Sequence, residues 1–311
     1  YTILWNNKMN LIKYSEIFKS IQGEGKYTGV PTIWLRLFAC NLNCDGFGQA
    51  NPTDPSTYHL PYKDIDAKRI TMIEDIPVLK TGCDSSYSWA AKFKHLQHEE
   101  TADTIVEKLV NLVDTSKIHP SINVANSYHL CFTGGEPLLK ANQKAVVDVL
   151  RSYKQNYPNN LPTDITFETN GTQLITPELL TELKDSNVLL SFSPKLFSVS
   201  GEPAKRALKA DIIAANIKNL DECTDFQLKF VLNKNPVAWQ EMEDFLDKLS
   251  IALSDTLGRS SVRDYVYIMP VGADNDSQYD IAGDVADMAV ERGYKVSARV
   301  HAYLWNNPVG K

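Results

Sequence analysis

From residue 31 onward the chain repeats one pattern, a short apolar run followed by an amphipathic stretch, and this restricts the fold more than any other feature. The apolar runs Thr32–Phe38, Tyr128–Phe132, Asp164–Glu168, Val188–Phe192, Phe226–Leu232, Tyr265–Met269 and Lys295–Val300 read as strands. Thr101–Val113, Gln143–Tyr157, Pro177–Leu183, Val237–Leu249 and Ile281–Arg292 read as helices between them. In the first of these, Ile105, Leu109 and Leu112 share one face. Pro177 suits a first helical turn with Thr176 as its cap. Alternation of this kind builds a parallel sheet with right-handed crossovers. Six or seven units predict an α/β architecture, a partial or modified parallel (β/α) barrel, with its chemistry at the C-terminal strand ends.

The 311 residues carry 43% hydrophobic and 23% charged side chains, ordinary values for a globular protein. We expect a single domain over residues 1–311 with an inserted loop at 45–82. No apolar run is long enough to span a bilayer. Tyr1–Asn10 lacks the basic and apolar regions of a secretory signal, so a cytoplasmic protein without a membrane partner is expected. The formal charge of −6 argues against a broad grip on nucleic acid, yet leaves room for a small anion held by one or two cations. Asp45–Gly82 breaks the rhythm: it is rich in Asn, Asp, Pro and Gly and has no clear period. The match between Leu4–Asn7 and Leu304–Asn307 is too short to count as a repeat.

Five cysteines, Cys40, Cys44, Cys83, Cys131 and Cys223, form a poor disulfide framework and suit reduced thiols. Cys40 and Cys44 directly follow the first apolar run, with three residues between them. Thiolates so spaced can curl around one face of a cluster. A four-iron cluster with three cysteine ligands leaves one iron open, and the amino and carboxylate groups of S-adenosylmethionine can chelate it. The usual third position is Phe47 here. The pair alone reads equally as buried small hydrophobes, or as half of a zinc site completed by His95 or His98. Cys131, inside a strand, reads as core, and Cys223 as structural.

Four further segments fall before the first strand or at strand ends: Ser20-Ile21-Gln22-Gly23-Glu24-Gly25, Thr133-Gly134-Gly135-Glu136-Pro137, Glu168-Thr169-Asn170-Gly171 and Ser193-Pro194-Lys195. In this order they resemble the 7-carboxy-7-deazaguanine synthases of the radical S-adenosylmethionine superfamily. The likeness extends through Glu16-Ile17-Phe18-Lys19, Gly29-Val30-Pro31, Arg36-Leu37 and Cys40-Asn41-Leu42-Asn43-Cys44. It runs from Tyr14 to Trp305 outside the insertion. The family's third cysteine precedes Asp-Thr, and Cys83-Asp84-Ser85 is the near match, with 38 residues between Cys44 and Cys83. A loop of that length can return its end to a cluster, because closure cost grows slowly with length.

The resemblance implies a carbon–nitrogen lyase that converts 6-carboxy-5,6,7,8-tetrahydropterin to 7-carboxy-7-deazaguanine, with loss of ammonia. It implies a [4Fe-4S] cluster on Cys40, Cys44 and Cys83, S-adenosylmethionine, and Mg2+ held through Ser85. Asp84, Gly134, Gly135, Glu136, Ser193, Pro194, Lys195, Met269 and Pro270 would bind S-adenosylmethionine. Ile21, Gln22, Gly23, Glu24, Arg36, Thr133 and His301 would bind substrate, with the planar Arg36 fork suited to a carboxylate. The rival readings are a surface salt bridge for Arg36 and a hydrogen-bonded core histidine for His301. An electron donor such as flavodoxin or ferredoxin, and a homodimer, belong to the same implication. A glycyl-radical-enzyme activase is a second reading, expected to carry the tight cysteine triad and a protein substrate. A zinc-stabilised binding module is a non-enzyme reading. The insertion carries apolar anchors and four prolines, Pro52, Pro55, Pro61 and Pro77, and we expect an ordered flap beside the site.

Overall fold

The computed structural model describes residues 10–123, 126–219, 224–257 and 261–311. Among these, the strands are β1 (Ile12–Ile21), β2 (Pro31–Leu37), β3 (His98–Glu100), β4 (His129–Gly134), β5 (Asp164–Thr169), β6 (Asn187–Phe192), β7 (Thr224–Leu232), β8 (Val266–Pro270) and β9 (Lys295–Val296). They form one sheet in the order β3-β1-β2-β4-β5-β6-β7-β8-β9. From β2 to β9 all neighbours are parallel. β1 runs antiparallel to both β2 and β3. The edge strands β3 and β9 do not pair with each other, so hydrogen bonding leaves the barrel open. The sheet still curls far enough for the loop after β1 to meet the chain after β9. Val300 N donates to Gly23 O at 3.0 Å, and Gly25 N to Ser297 Oγ at 2.7 Å. This is the expected partial parallel barrel.

Alternation along the strands sorts the side chains. On β2, Ile33, Leu35 and Leu37 turn outward into the main core, where they join Val146 and Leu150 of helix Lys140–Asn156. Burial of each such side chain stabilises by about 1.5–3 kcal/mol. Arg36, on the opposite face of β2, turns inward with Thr133, Glu168 and Lys229 of β4, β5 and β7. The five expected helices are present as Ala102–Asn111, Lys140–Asn156, Pro177–Glu182, Pro236–Ala252 and Asn275–Glu291. Thr176 Oγ1 accepts from Leu179 N with Pro177 in the first turn, as the sequence suggests.

Four elements depart from expectation. β1 and β3 have no counterpart in the sequence reading, nor does helix Ala210–Lys218. The predicted strand Lys295–Val300 shortens to Lys295–Val296, and a helix begins at Val300. Arg299 is drawn instead into ion pairs with Glu24 and Asp84, which ends the strand. Cys223 and the segment Leu4–Asn7 lie outside the described residues.

The insertion folds. Short helical turns at Pro55–Thr57, Pro61–Asp64, Ala67–Arg69 and Ile73–Asp75 carry Leu60, Tyr62, Ile73, Ile76 and Leu79 into a second, smaller core. Tyr87, Phe93 and Leu96, from beyond Cys83, complete that core. Gly82 N donates to Phe47 O at 2.7 Å and brings the ends of the insertion together. Among the described residues no helix is long and apolar enough to cross a membrane.

Candidate active site

A cavity of about 290 Å³ opens where β2 and β4–β8 end, roofed by Ile76–Lys80 of the insertion. Cys40, Cys44 and Cys83 all line it. Burial pushes the Cys40 thiol up to about 12, and it also raises those of Cys44 and Cys83. N–H donors point at two of the sulfurs: Leu42 N lies 3.4 Å from Cys40 Sγ, and Trp89 Nε1 3.4 Å from Cys83 Sγ. Such donors favour bound thiolate over thiol. The donor set therefore fits a cluster held by three cysteines. Among the described residues no three or more His, Cys, Asp and Glu are gathered closely enough to hold a single metal ion such as zinc. His95 bonds Ile70 O and His98 stacks on Tyr14, so neither supplies the fourth ligand that a zinc site needs.

The two glycines after β4 are required by close approach. A Cβ on Gly134, whose φ is +146°, would stand 2.1 Å from Leu37 O. A Cβ on Gly135 would stand 2.3 Å from Ala39 O and 2.7 Å from Cys40 Cβ. They let the β4 end press against the cysteine loop. Glu136 departs from expectation: its carboxylate is fully buried and accepts from Thr169 Oγ1 and Asn170 N, both at 2.7 Å. It braces two strand ends and does not line the cavity. Pro194 is likewise buried behind the wall. Gly134, Gly135, Ser193, Lys195, Met269, Pro270, Asp84 and Ser85 do line it, and Lys195 Nζ donates to Ser193 Oγ at 2.8 Å.

The opposite wall is a charged lattice. Arg36 pairs through Nε with the buried Glu16, and Tyr87 Oη also donates to Glu16 Oε1, at 3.0 Å. The guanidinium lies 5.8 Å from the ring centres of both Phe18 and Tyr87. It is 17% exposed, so it is no surface salt bridge. Lys229, 2% exposed, bonds Glu168 at 2.7 Å and Glu24 at 2.8 Å. Arg299 bonds Glu24 at 3.0 Å and Asp84 at 2.7 Å. Gln22 Nε2 donates to Glu168 Oε1 at 3.0 Å. Burial opposes ionisation of Glu24, yet the adjacent Lys229 and Arg299 hold its carboxyl far below the usual carboxylate range. Burial, reinforced by Arg299, lowers His301 to about 4, so the imidazole is neutral near pH 7. A Cβ on Gly23 would overlap the His301 ring, which explains the glycine there.

Ile21–Glu24, Arg36, Thr133 and His301 thus share the cavity with the cysteines. Sequence reasoning missed Lys229, Arg299, Glu16 and Tyr87. Lys229, flanked by Leu228 and Phe230 within a strand, is a charge set among apolar neighbours, a signal that could have found it. Cys131 is fully buried beside Phe18 and Trp34, away from the cavity lining.

No protein-family model matches the chain. A protein named 7-carboxy-7-deazaguanine synthase from Halobacterium salinarum is 28% identical over 305 residues, covering 94% of this chain and 90% of the relative. Proteins of the same name from Rhodopirellula baltica and Buchnera aphidicola are 27% and 22% identical, over 95% and 93% of this chain. A crystal structure of QueE from Escherichia coli overlays 94% of the chain with a TM-score of 0.45 and 17% identity. Related along nearly its whole length to each of the three curated proteins, the chain is a homologue of the 7-carboxy-7-deazaguanine synthases.

Proposed function

We propose that the chain converts 6-carboxy-5,6,7,8-tetrahydropterin to 7-carboxy-7-deazaguanine by radical ring contraction with loss of ammonia, a step of queuosine-type 7-deazaguanine biosynthesis. One observation carries this: three thiols, the Gly134–Gly135 backbone and a buried arginine converge on a single cavity. The end-to-end relationship to proteins of that name supports it. Cys40, Cys44 and Cys83 would hold a [4Fe-4S] cluster, with S-adenosylmethionine against Gly134, Gly135, Ser193, Lys195, Met269 and Asp84. Together these groups would supply a 5′-deoxyadenosyl radical able to take a hydrogen atom from substrate.

The protein's own contribution is orientation and exclusion of water. Glu16 occupies Arg36 Nε, so the two terminal guanidinium nitrogens are the edge offered to a substrate carboxylate. Phe18 and Tyr87 fix the plane of that fork. Gln22, Gly23 and Glu24 would meet the heterocycle edge, and Lys229 and Arg299 keep Glu24 ionised as an acceptor. Neutral His301 can exchange a hydrogen bond without adding charge. The apolar roof from the insertion keeps solvent from a reactive intermediate. Ser85 and the substrate carboxylate would supply oxygen ligands to Mg2+. A flavodoxin- or ferredoxin-like electron donor, a homodimer, a single domain and a cytoplasmic setting complete the reading.

The test is anaerobic reconstitution with iron and sulfide, then incubation with S-adenosylmethionine, Mg2+, a reductant and the carboxytetrahydropterin. The expected result is the deazaguanine product with S-adenosylmethionine regenerated. A fully loaded protein that makes no product from this substrate would overturn the assignment.

A further inference from the structure

The loop that carries the first two cysteines is held in an unfavourable backbone conformation. Ala39 has φ +86° and Cys44 has φ +56°, values that side-chain-bearing residues seldom adopt. Such conformations persist only where surroundings over-determine them. Ala39 is fixed by its N–H to Ser88 O at 2.8 Å and by Glu136 N to its own carbonyl at 2.9 Å. Cys44 is fixed by a different group. Glu202 Oε1 accepts from Asn43 N at 2.6 Å and from Cys44 N at 2.9 Å.

Glu202 is 4% exposed and lies beyond Ser193-Pro194-Lys195, far from the cysteines in sequence. Its neighbours reinforce the grip. Ser200 O accepts from Gly46 N at 2.9 Å, and a Cβ on Gly46 would stand 2.6 Å from Gly201 N. Arg206 donates to Asn41 O and pairs with Glu202 Oε2 at 3.8 Å. Oε2 has no hydrogen-bond partner. The segment from Ser200 to Arg206 therefore holds the cysteine loop at Asn41, Asn43, Cys44 and Gly46.

We propose that Glu202 is a positioning residue for the cluster: it sets Cys44 for ligation and withholds two backbone N–H groups from the cluster sulfurs. This rests on the reading that Cys40, Cys44 and Cys83 hold an iron–sulfur cluster. Hydrogen bonds to the sulfurs and local charge are two of the levers that set a cluster's potential. Here both levers act the same way: two loop amides are engaged by a carboxylate, and that carboxylate is buried beside a ligand. Glu202 thereby keeps the potential low.

The test compares wild type, Glu202→Gln and Glu202→Ala after anaerobic reconstitution, by iron and sulfide per chain and by a potentiometric titration followed by electron paramagnetic resonance. In Glu202→Gln the amide oxygen still accepts both N–H groups, so loading should match wild type while the midpoint potential rises. Glu202→Ala should load several-fold less iron, and its loaded fraction should show the higher potential as well. A Glu202→Ala protein that is less heat-stable as apoprotein, yet loads fully at the wild-type potential, assigns Glu202 a structural role only and overturns the proposal. Should Glu202→Ala fail to fold, an unchanged potential in Glu202→Gln overturns it equally. Wild type that takes up no cluster removes the cofactor reading, and this proposal with it.

Discussion

Arg36 lies on the cavity-facing side of β2, with its Nε committed to Glu16 and its terminal nitrogens free of that pair. Lysine at this position keeps the charge but cannot present two parallel donors. A charge-assisted hydrogen bond contributes about 1.5–3 kcal/mol, so Arg36→Lys should lower kcat/KM about ten- to hundredfold, chiefly through KM. Unchanged steady-state constants would remove Arg36 from the substrate site. Cys40, Cys44 and Cys83, each replaced singly by Ala, should abolish cluster loading, while Cys131→Ala should load normally. Full loading of Cys83→Ala would show that the ligand beyond the insertion has been misassigned. The spacing of Cys40 and Cys44 was legible in the residues themselves, whereas Cys83 and the role of Arg36 came only from the family resemblance. Glu136 shows the converse, since its side chain lies outside the cavity lining. Its motif signals a site, but nothing in the motif says whether the carboxylate faces a ligand or clamps Thr169 and Asn170.

At the scale of elements, the parallel strands were legible because hydrophobic runs and connecting helices repeat. β1 was not, because a bulge between Tyr14 and Glu16 shifts its register and breaks the alternation that announces a strand. The insertion was legible as apolar and proline-bearing, but its docking depends on contacts that no local pattern encodes. One of these is Lys80 Nζ on Asp274 Oδ2 at 2.7 Å, which ties the roof to the start of helix Asn275–Glu291. Lys80 is 62% exposed, so the pair adds little to stability. If it latches the roof, Lys80→Ala should leave the melting temperature within a degree or two and raise the S-adenosylmethionine cleaved per product. Replacing residues 46–80 by a short linker should raise that ratio further. Coupling equal to wild type in both proteins would mean that the roof serves something other than water exclusion.

Across the whole molecule, the lattice of Glu24, Lys229, Glu168, Arg299 and Asp84 joins parts of the chain that no helix or strand connects: the loop after β1, β5, β7, the segment of the third cysteine and the chain after β9. It spans the side of the barrel that backbone pairing leaves open, so its integrity should be felt in global stability. Removing one partner from a buried ionic group leaves uncompensated charge and costs about 3–5 kcal/mol. Lys229→Met should therefore lower the melting temperature of the apoprotein by about 5–15 °C at pH 7. The pH dependence gives the prediction its sign. Glu24 ordinarily titrates near 4.5, and in the folded protein it lies far below that. A carboxyl with a depressed folded pKa contributes stability above its unfolded pKa and loses it as pH falls towards the folded one. Without Lys229 that depression shrinks, so the variant has less to lose in acid. The gap between wild type and Lys229→Met should be widest near neutrality and should narrow steadily below about pH 4.5. Thermal melts of the two apoproteins across that range check it. A gap that stays constant, or widens in acid, would show that Lys229 stabilises through packing and not through the charge it shares with Glu24.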